Sequence, residues 1–174
     1  MNVEVIINGY LKENCYIVYD EKNALIIDPG SEGEKIVNFI EKNKLNVKAI
    51  LITHYHFDHI GALDYLKEKY NTNVIDYKSD KDIIIDNFYF RVIECFGHTL
   101  DSVIFYFYKD KIIFSGDFIF KGTIGVTEEE NYSLMMNSLK IIKTFDKDVI
   151  IYPGHGESTN VLEELRNNYF LRGI

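Results

Sequence analysis

Apolar and polar residues alternate at the start of the chain, and the period then switches back and forth along it. The alternation over 3–7, followed by apolar runs at 15–19 and 24–27 with polar turns between them, predicts a meander of three strands. Asp28-Pro29-Gly30 ends the third strand. Ser31 is placed to cap a helix, with Glu34 three residues later completing a capping box. Ile36, Val37, Phe39 and Ile40 recur at helical spacing until the pattern dissolves near Asn43. The run Ala49-Ile50-Leu51-Ile52 predicts a strand buried on both faces. A second helix is expected over 60–70, with Leu63 and Leu66 on its apolar side. From Val74 to Phe114 the pattern is strand after strand: 83–85, 88–96, 103–108 and 112–114. A helix over 128–145 follows, opened by Glu128, Glu129 and Glu130 in the first turn, where the helix dipole favours acids. A strand at 149–152 and a last helix from about Val161 complete the chain. With no linker, repeat or low-complexity segment, residues 1–174 are expected to form one domain of the layered α/β class.

Composition narrows the function classes. The 174 residues are 47% hydrophobic and 26% charged, and the formal charge is −8 with both signs scattered. Clustered Lys and Arg supply most nucleic-acid affinity, so a nucleic-acid partner is not expected. No apolar run approaches a membrane span, and the first residues lack the basic and apolar regions of a signal peptide. A cytoplasmic protein without a membrane partner is therefore expected. Cys15 and Cys95 sit in apolar, strand-like surroundings and are read as buried free thiols in a reducing compartment. Most of the 13 Tyr and 12 Phe alternate within strands and are read as core.

The five histidines change the picture. Three fall in His54-Tyr55-His56-Phe57-Asp58-His59; the others sit in Gly97-His98-Thr99 and Gly154-His155-Gly156. Each follows an apolar run that reads as a strand, and so does Asp117 in Ser115-Gly116-Asp117. Loops at strand ends are where layered α/β proteins build sites, because the sheet fixes their starting points. Residues two apart in an extended loop face the same way, so His54 and His56 can grip one ion. Asp58 and His59, at the turn into the next helix, can reach a second. Imidazole and carboxylate without thiolate suit zinc, and also iron or manganese. Asp28, and similarly Thr53, are candidates for orienting a ligand histidine.

These segments resemble the metallo-β-lactamase superfamily. His54-Tyr55-His56-Phe57-Asp58-His59 has its H-x-H-x-D-H form, and the segments around His98, Asp117 and Tyr152-Pro153-Gly154-His155-Gly156 match its other metal-binding stretches. Asn14-Cys15-Tyr16, Ile27-Asp28-Pro29-Gly30, Phe118-Ile119-Phe120 and Gly122-Thr123-Ile124-Gly125 are similar to the glyoxalase II-like branch. The resemblance implies a four-layer αβ/βα sandwich with the site at one edge. It implies one metal on His54, His56 and His98, another on Asp58, His59 and His155, and Asp117 bridging them. Val126-Thr127-Glu128 departs from the Arg-Thr-Asp common in that branch. The helical C-terminal domain that supplies basic residues for glutathione is expected to be lacking. The resemblance carries the reaction type better than the substrate.

Two divalent ions, most simply zinc, would generate hydroxide near neutral pH for attack on a carbonyl, with Asp58 orienting it and moving its proton. A small-molecule thioester is the favoured substrate, because thiolate leaves without a strong general acid; an ester or lactone would use the same parts. The competing expectation is an oxidoreductase resembling a persulfide dioxygenase, with one iron on His54, His56 and Asp117. The segment 122–132, with Lys121 nearby, is the expected substrate-facing loop.

Overall fold

The computed structural model describes residues 1–172 and Ile174. In chain order, β1 (Asn2–Asn8), β2 (Glu13–Tyr19) and β3 (Asn23–Ile27) lead to α1 (Gly33–Lys42) and β4 (Asn46–Leu51). The short α2 (Phe57–Ile60) and α3 (Leu63–Tyr70) precede β5 (Asn73–Ile75). Then come β6 (Asp82–Ile85), β7 (Phe88–Glu94), β8 (Val103–Phe107), β9 (Ile112–Gly116), β10 (Ile119–Phe120) and β11 (Thr123–Ile124). The helix α4 (Tyr132–Ser138), β12 (Ile150–Pro153), β13 (Thr159–Asn160) and α5 (Val161–Asn167) finish the chain.

Two sheets result. The first runs β1-β2-β3-β4-β5, antiparallel up to β3 and parallel from there. The second runs β13-β12-β9-β8-β7-β6, with β12 and β9 its one parallel pair. The period of two along the strands sorts side chains between layers. Tyr16, Val18, Leu25, Ile27, Ala49 and Leu51 of the first sheet meet Phe88, Phe90, Phe105, Phe107 and Phe114 of the second in a shared core. The residues in between, Cys15, Ile17, Ile26, Ile50 and Ile52, turn outward against Ile36, Val37 and Ile40 of α1 and Leu66 of α3. Ile104, Ile113 and Ile151 likewise turn away from the shared core, against Met135 of α4, Leu139, Ile142 and Val161. The result is a four-layer αβ/βα sandwich, as expected. Both cysteines are buried and free, which fits their reading as packing residues. Among the described residues no helix is long and apolar enough to cross a membrane.

The boundaries differ from the sequence expectation in informative places. No capping box forms at α1: Glu32 occupies the cap position in the left-handed region (φ 53°) and makes no side-chain cap bond. Its carboxylate instead accepts from the Gly9 N–H and pairs with Lys35. The Ser31 hydroxyl is buried without a partner, and Glu34 accepts from the Tyr65 hydroxyl. The helix expected over 60–70 is two pieces. The Ala62 N–H turns to the Pro29 carbonyl, 2.9 Å away, which breaks the ladder, and the first piece spans Phe57–Ile60. Strand β7 stops at Glu94, short of Phe96. The helix expected over 128–145 is a 3-10 turn at Glu129–Asn131, then α4, then a 3-10 helix at Leu139–Thr144. Leu139 and Ile142 are buried three residues apart, a spacing that the three-residue turn of a 3-10 helix satisfies. The two-stranded β10–β11 ribbon and β13, each strand two residues long, carried too short a pattern to be read.

Candidate metal centre

Four strand ends deliver five of the seven side chains singled out in the sequence, and a short helix delivers the other two. His54 and His56 follow β4, His98 follows β7, Asp117 follows β9 and His155 follows β12. Asp58 and His59 stand on α2 itself, with His56 at its cap position. The side chains converge as three overlapping groups, each with ligand atoms within 4.8 Å of one another: His54, His56 and His98; His54, His59 and Asp117; Asp58, His59 and His155. His54 Nε2 and His98 Nε2 lie 3.1 and 3.0 Å from His56 Nδ1. On the other side, His155 Nε2 is 3.3 Å and His59 Nε2 3.8 Å from Asp58 Oδ2. Asp117 lies between: Oδ1 is 3.4 Å from His59 Nε2, and Oδ2 is 3.7 Å from both His98 Nε2 and His155 Nε2. Gly154 makes room for this, since a side chain there would run into the Asp117 carboxylate.

The opposite ring nitrogens are tied back. Asp28, itself buried in the left-handed region (φ 49°), accepts three bonds: from the Thr53 N–H (2.7 Å), the Thr53 hydroxyl (2.6 Å) and His59 Nδ1–H (3.0 Å). With its proton given to Asp28, the Thr53 oxygen accepts from His54 Nδ1–H at 3.1 Å. His98 Nδ1–H donates to the Val126 carbonyl (2.6 Å), and His155 Nδ1–H to the Leu11 carbonyl (3.2 Å). Four imidazoles are thereby held with Nε2 aimed inward, the arrangement that raises ligand basicity and fixes ring orientation. Asn14 and Tyr16 on β2 hold the turn that carries His155. Asn14 Nδ2 donates to the Pro153 (3.0 Å) and Gly156 (2.9 Å) carbonyls, and the Tyr16 hydroxyl to Pro153 (2.6 Å). Sequence reasoning quoted Asn14 and Tyr16 but gave them no role, and it missed the Leu11 and Val126 carbonyls, which carry no residue-type signal.

The donor set fits a cation. Because Nδ1 of His54 and of His98 carries the proton, two bare Nε2 lone pairs aim at one nitrogen of His56, and at most one N–H could satisfy them. Buried His59 Nε2 and Asp117 Oδ1 have no hydrogen-bond partner. Burial disfavours charge on His54 and pushes its pKa down to about 2, with His59, His98 and His56 adding to the effect. Burial also opposes charge on Asp117, but its histidine neighbours, His59 first, outweigh it and hold the carboxyl at about 2. Burial opposes charge on His59 too; the nearby Asp117 carboxylate and the bond to Asp28 outweigh it and raise the pKa to about 11. A cation taking His59 Nε2 must displace that proton. Lys121, the one positive charge expected near 122–132, is paired with Glu157 at 2.6 Å.

The sequence and the fold have counterparts among known proteins. The chain is 32% identical to the hydroxyacylglutathione hydrolase GloC of Haemophilus influenzae, over 98% of both chains. It is 39% identical to a hydroxyacylglutathione hydrolase of Pelagibacter ubique, over 88% of this chain and 71% of that one. The crystal structure of BLEG-1, a B3 metallo-β-lactamase, superposes with a TM-score of 0.93 at 28% identity, covering 99% of this chain and all of the other. The family model of the metallo-β-lactamase superfamily matches residues 8–92 and 79–155. By fold, by the histidine and aspartate cluster at its strand ends and by these matches, the chain belongs to the metallo-β-lactamase superfamily.

Proposed function

We propose that this chain is a dinuclear metal-dependent hydrolase of thioesters, with esters and lactones open to the same machinery. The observation that carries the reading is the placement of Asp117 between two three-residue clusters, within 3.7 Å of nitrogens from both. His54, His56 and His98 would hold one divalent ion, Asp58, His59 and His155 the other, with Asp117 shared; zinc suits the nitrogen and oxygen donors. Such ions supply Lewis acidity and a water acidified to near neutrality.

The chain's own residues then have separable tasks. Asp28 and Thr53 fix the tautomers of His59 and His54 so that lone pairs face the centre. Asp58 stands at the partly exposed mouth, its Oδ2 beside His155 Nε2, where it can orient an attacking water and accept its proton. A thiolate leaves without a strong acid, and the centre offers none to spare. The loop 122–132 borders the site, since Val126 holds His98 and the Thr127 hydroxyl donates to the Gly97 carbonyl at 2.5 Å. The activity for which these relatives are named supports glutathione thioesters as a substrate to try first.

Steady-state hydrolysis of a panel containing S-lactoylglutathione, simple acyl thioesters, lactones and a persulfide tests the reading. Metal-dependent thioester cleavage is expected. One tightly bound iron with oxygen consumption on the persulfide, and no hydrolysis, would replace it with the dioxygenase reading.

A further inference from the structure

Next to the metal centre, the turn between β1 and β2 and the helix α2 enclose a pocket of about 390 Å3. That volume falls in the ordinary range for small-molecule sites, about 300–1,000 Å3. Asp58 borders it on the side of the metal centre, and Tyr10, Leu11 and Phe57 form its sides. These three are 97%, 47% and 75% exposed, an unusual amount of large apolar surface to leave at one mouth. Gly30 and Gly61 also line it, where backbones pack too closely for side chains: a Cβ on Gly30 would strike the Asp58 carbonyl, and one on Gly61 the Gly30 carbonyl. Of the polar groups at the border, the Asn8 amide and the Ser31 hydroxyl are buried without partners. The Leu11 carbonyl is taken by His155, and the Asp58 carboxylate turns to His155 and His59. No lining residue is basic, while the buried Glu13 carboxyl, also in the lining, finds no partner at either oxygen.

We propose that this pocket receives the aliphatic acyl chain of the substrate, which makes the chain's preferred substrate an acyl thioester with an uncharged hydrocarbon tail. The inference rests on the hydrolase reading above. Hydrocarbon walls beside the acidic mouth residue suit a tail that starts at the reacting carbonyl. A carrier thiol is polar and charged and would find no counter-charge here. A tail ending in a carboxylate would bring its charge beside Asp58, with no basic side chain in the lining to offset it.

The test uses the metal-loaded protein and two series of thioesters. In one, acetyl to octanoyl groups are carried on the small neutral thiol N-acetylcysteamine; in the other, acetyl is carried on alkyl thiols of rising length. KM in the acyl series should fall by up to about fourfold per methylene until the pocket fills, with kcat changing little. The thiol series should be flat, and an ω-carboxyl acyl group should lose at least tenfold in kcat/KM against its methyl-ended isostere. Leu11→Ser with Phe57→Ser should flatten the acyl slope, whereas Ile84→Ser, exposed on β6, should preserve it. Turnover with a flat acyl series, or a slope in the thiol series instead, overturns the pocket assignment while leaving the hydrolase reading intact. Hydrolysis of no member of either series overturns both.

Discussion

Asp28 reaches the candidate centre only through its neighbours, so Asp28→Asn separates orientation from ligation. The carboxylate accepts three hydrogen bonds, two from Thr53 and one from His59. An amide has one oxygen to offer. If that oxygen keeps the Thr53 N–H, the NH2 group faces the Thr53 hydroxyl and His59 Nδ1–H, both donors. His59 then either loses its bond or moves its proton to Nε2, the nitrogen aimed at the metal. Removing such an outer partner costs roughly 10–100-fold in metal affinity, about 1.4–2.7 kcal/mol at 1.36 kcal/mol per tenfold change. The loss should fall mainly on the Asp58, His59 and His155 half. The His54 half should change less, because Thr53 still offers its oxygen to His54 Nδ1–H. Chelator competition on the metal-free protein, resolved into two sites, reads both affinities, and circular dichroism checks the fold. Second-site affinity within twofold of the parent in a folded variant would refute the claim that Asp28 sets the His59 tautomer.

Asp117→Asn should weaken both halves, because a neutral amide is a poor link between two cations; two metals and full turnover in that variant would remove Asp117 from the shared position. Asp58→Asn should leave binding at His54, His56 and His98 close to the parent while lowering kcat by at least about a hundredfold, the usual scale for a lost proton acceptor. Glu13 supplies a pH test of stability. Burial, with Asp28 and Asp58 adding to it, raises its pKa from 4.5 to about 10. A raised folded-state value contributes stability that is complete below the unfolded pKa and is lost as pH climbs through the folded one. The metal-free Glu13→Gln protein should therefore match the parent's melting temperature near pH 4.5 and exceed it by several degrees at pH 8. Equal melting temperatures at both pH values would contradict the burial argument.

Much of this was written in the residue pattern. Apolar runs such as Ala49-Ile50-Leu51-Ile52, buried on both faces, alternate along the chain with segments of helical spacing, so the layered class could be read from the sequence. The histidines could be read too, since Ala49-Ile50-Leu51-Ile52 and the other apolar runs place them at strand ends. What stayed hidden depends on backbone groups and on distance in sequence. The Val126 and Leu11 carbonyls hold His98 and His155 from 28 and 144 residues away, and a carbonyl has no letter of its own. Asn14 was quoted without a role, and its clasp on the His155 turn spans 139 residues to Pro153. Ser31 had the right residue type and spacing for a helix cap. The loop–helix contact of Pro29 with Ala62 and the bond from Gly9 to Glu32 instead accompany a helix that starts later, without a side-chain cap.

Metal stoichiometry tests the central claim most directly. Elemental analysis of protein purified without chelator, followed by back-titration of the stripped protein while thioester hydrolysis is recorded, gives the number and the consequence together. Two divalent ions per chain, with turnover that rises until the second is bound, is the result the account requires. Saturation at one ion, with activity already complete or with oxygen consumption in place of hydrolysis, would contradict it.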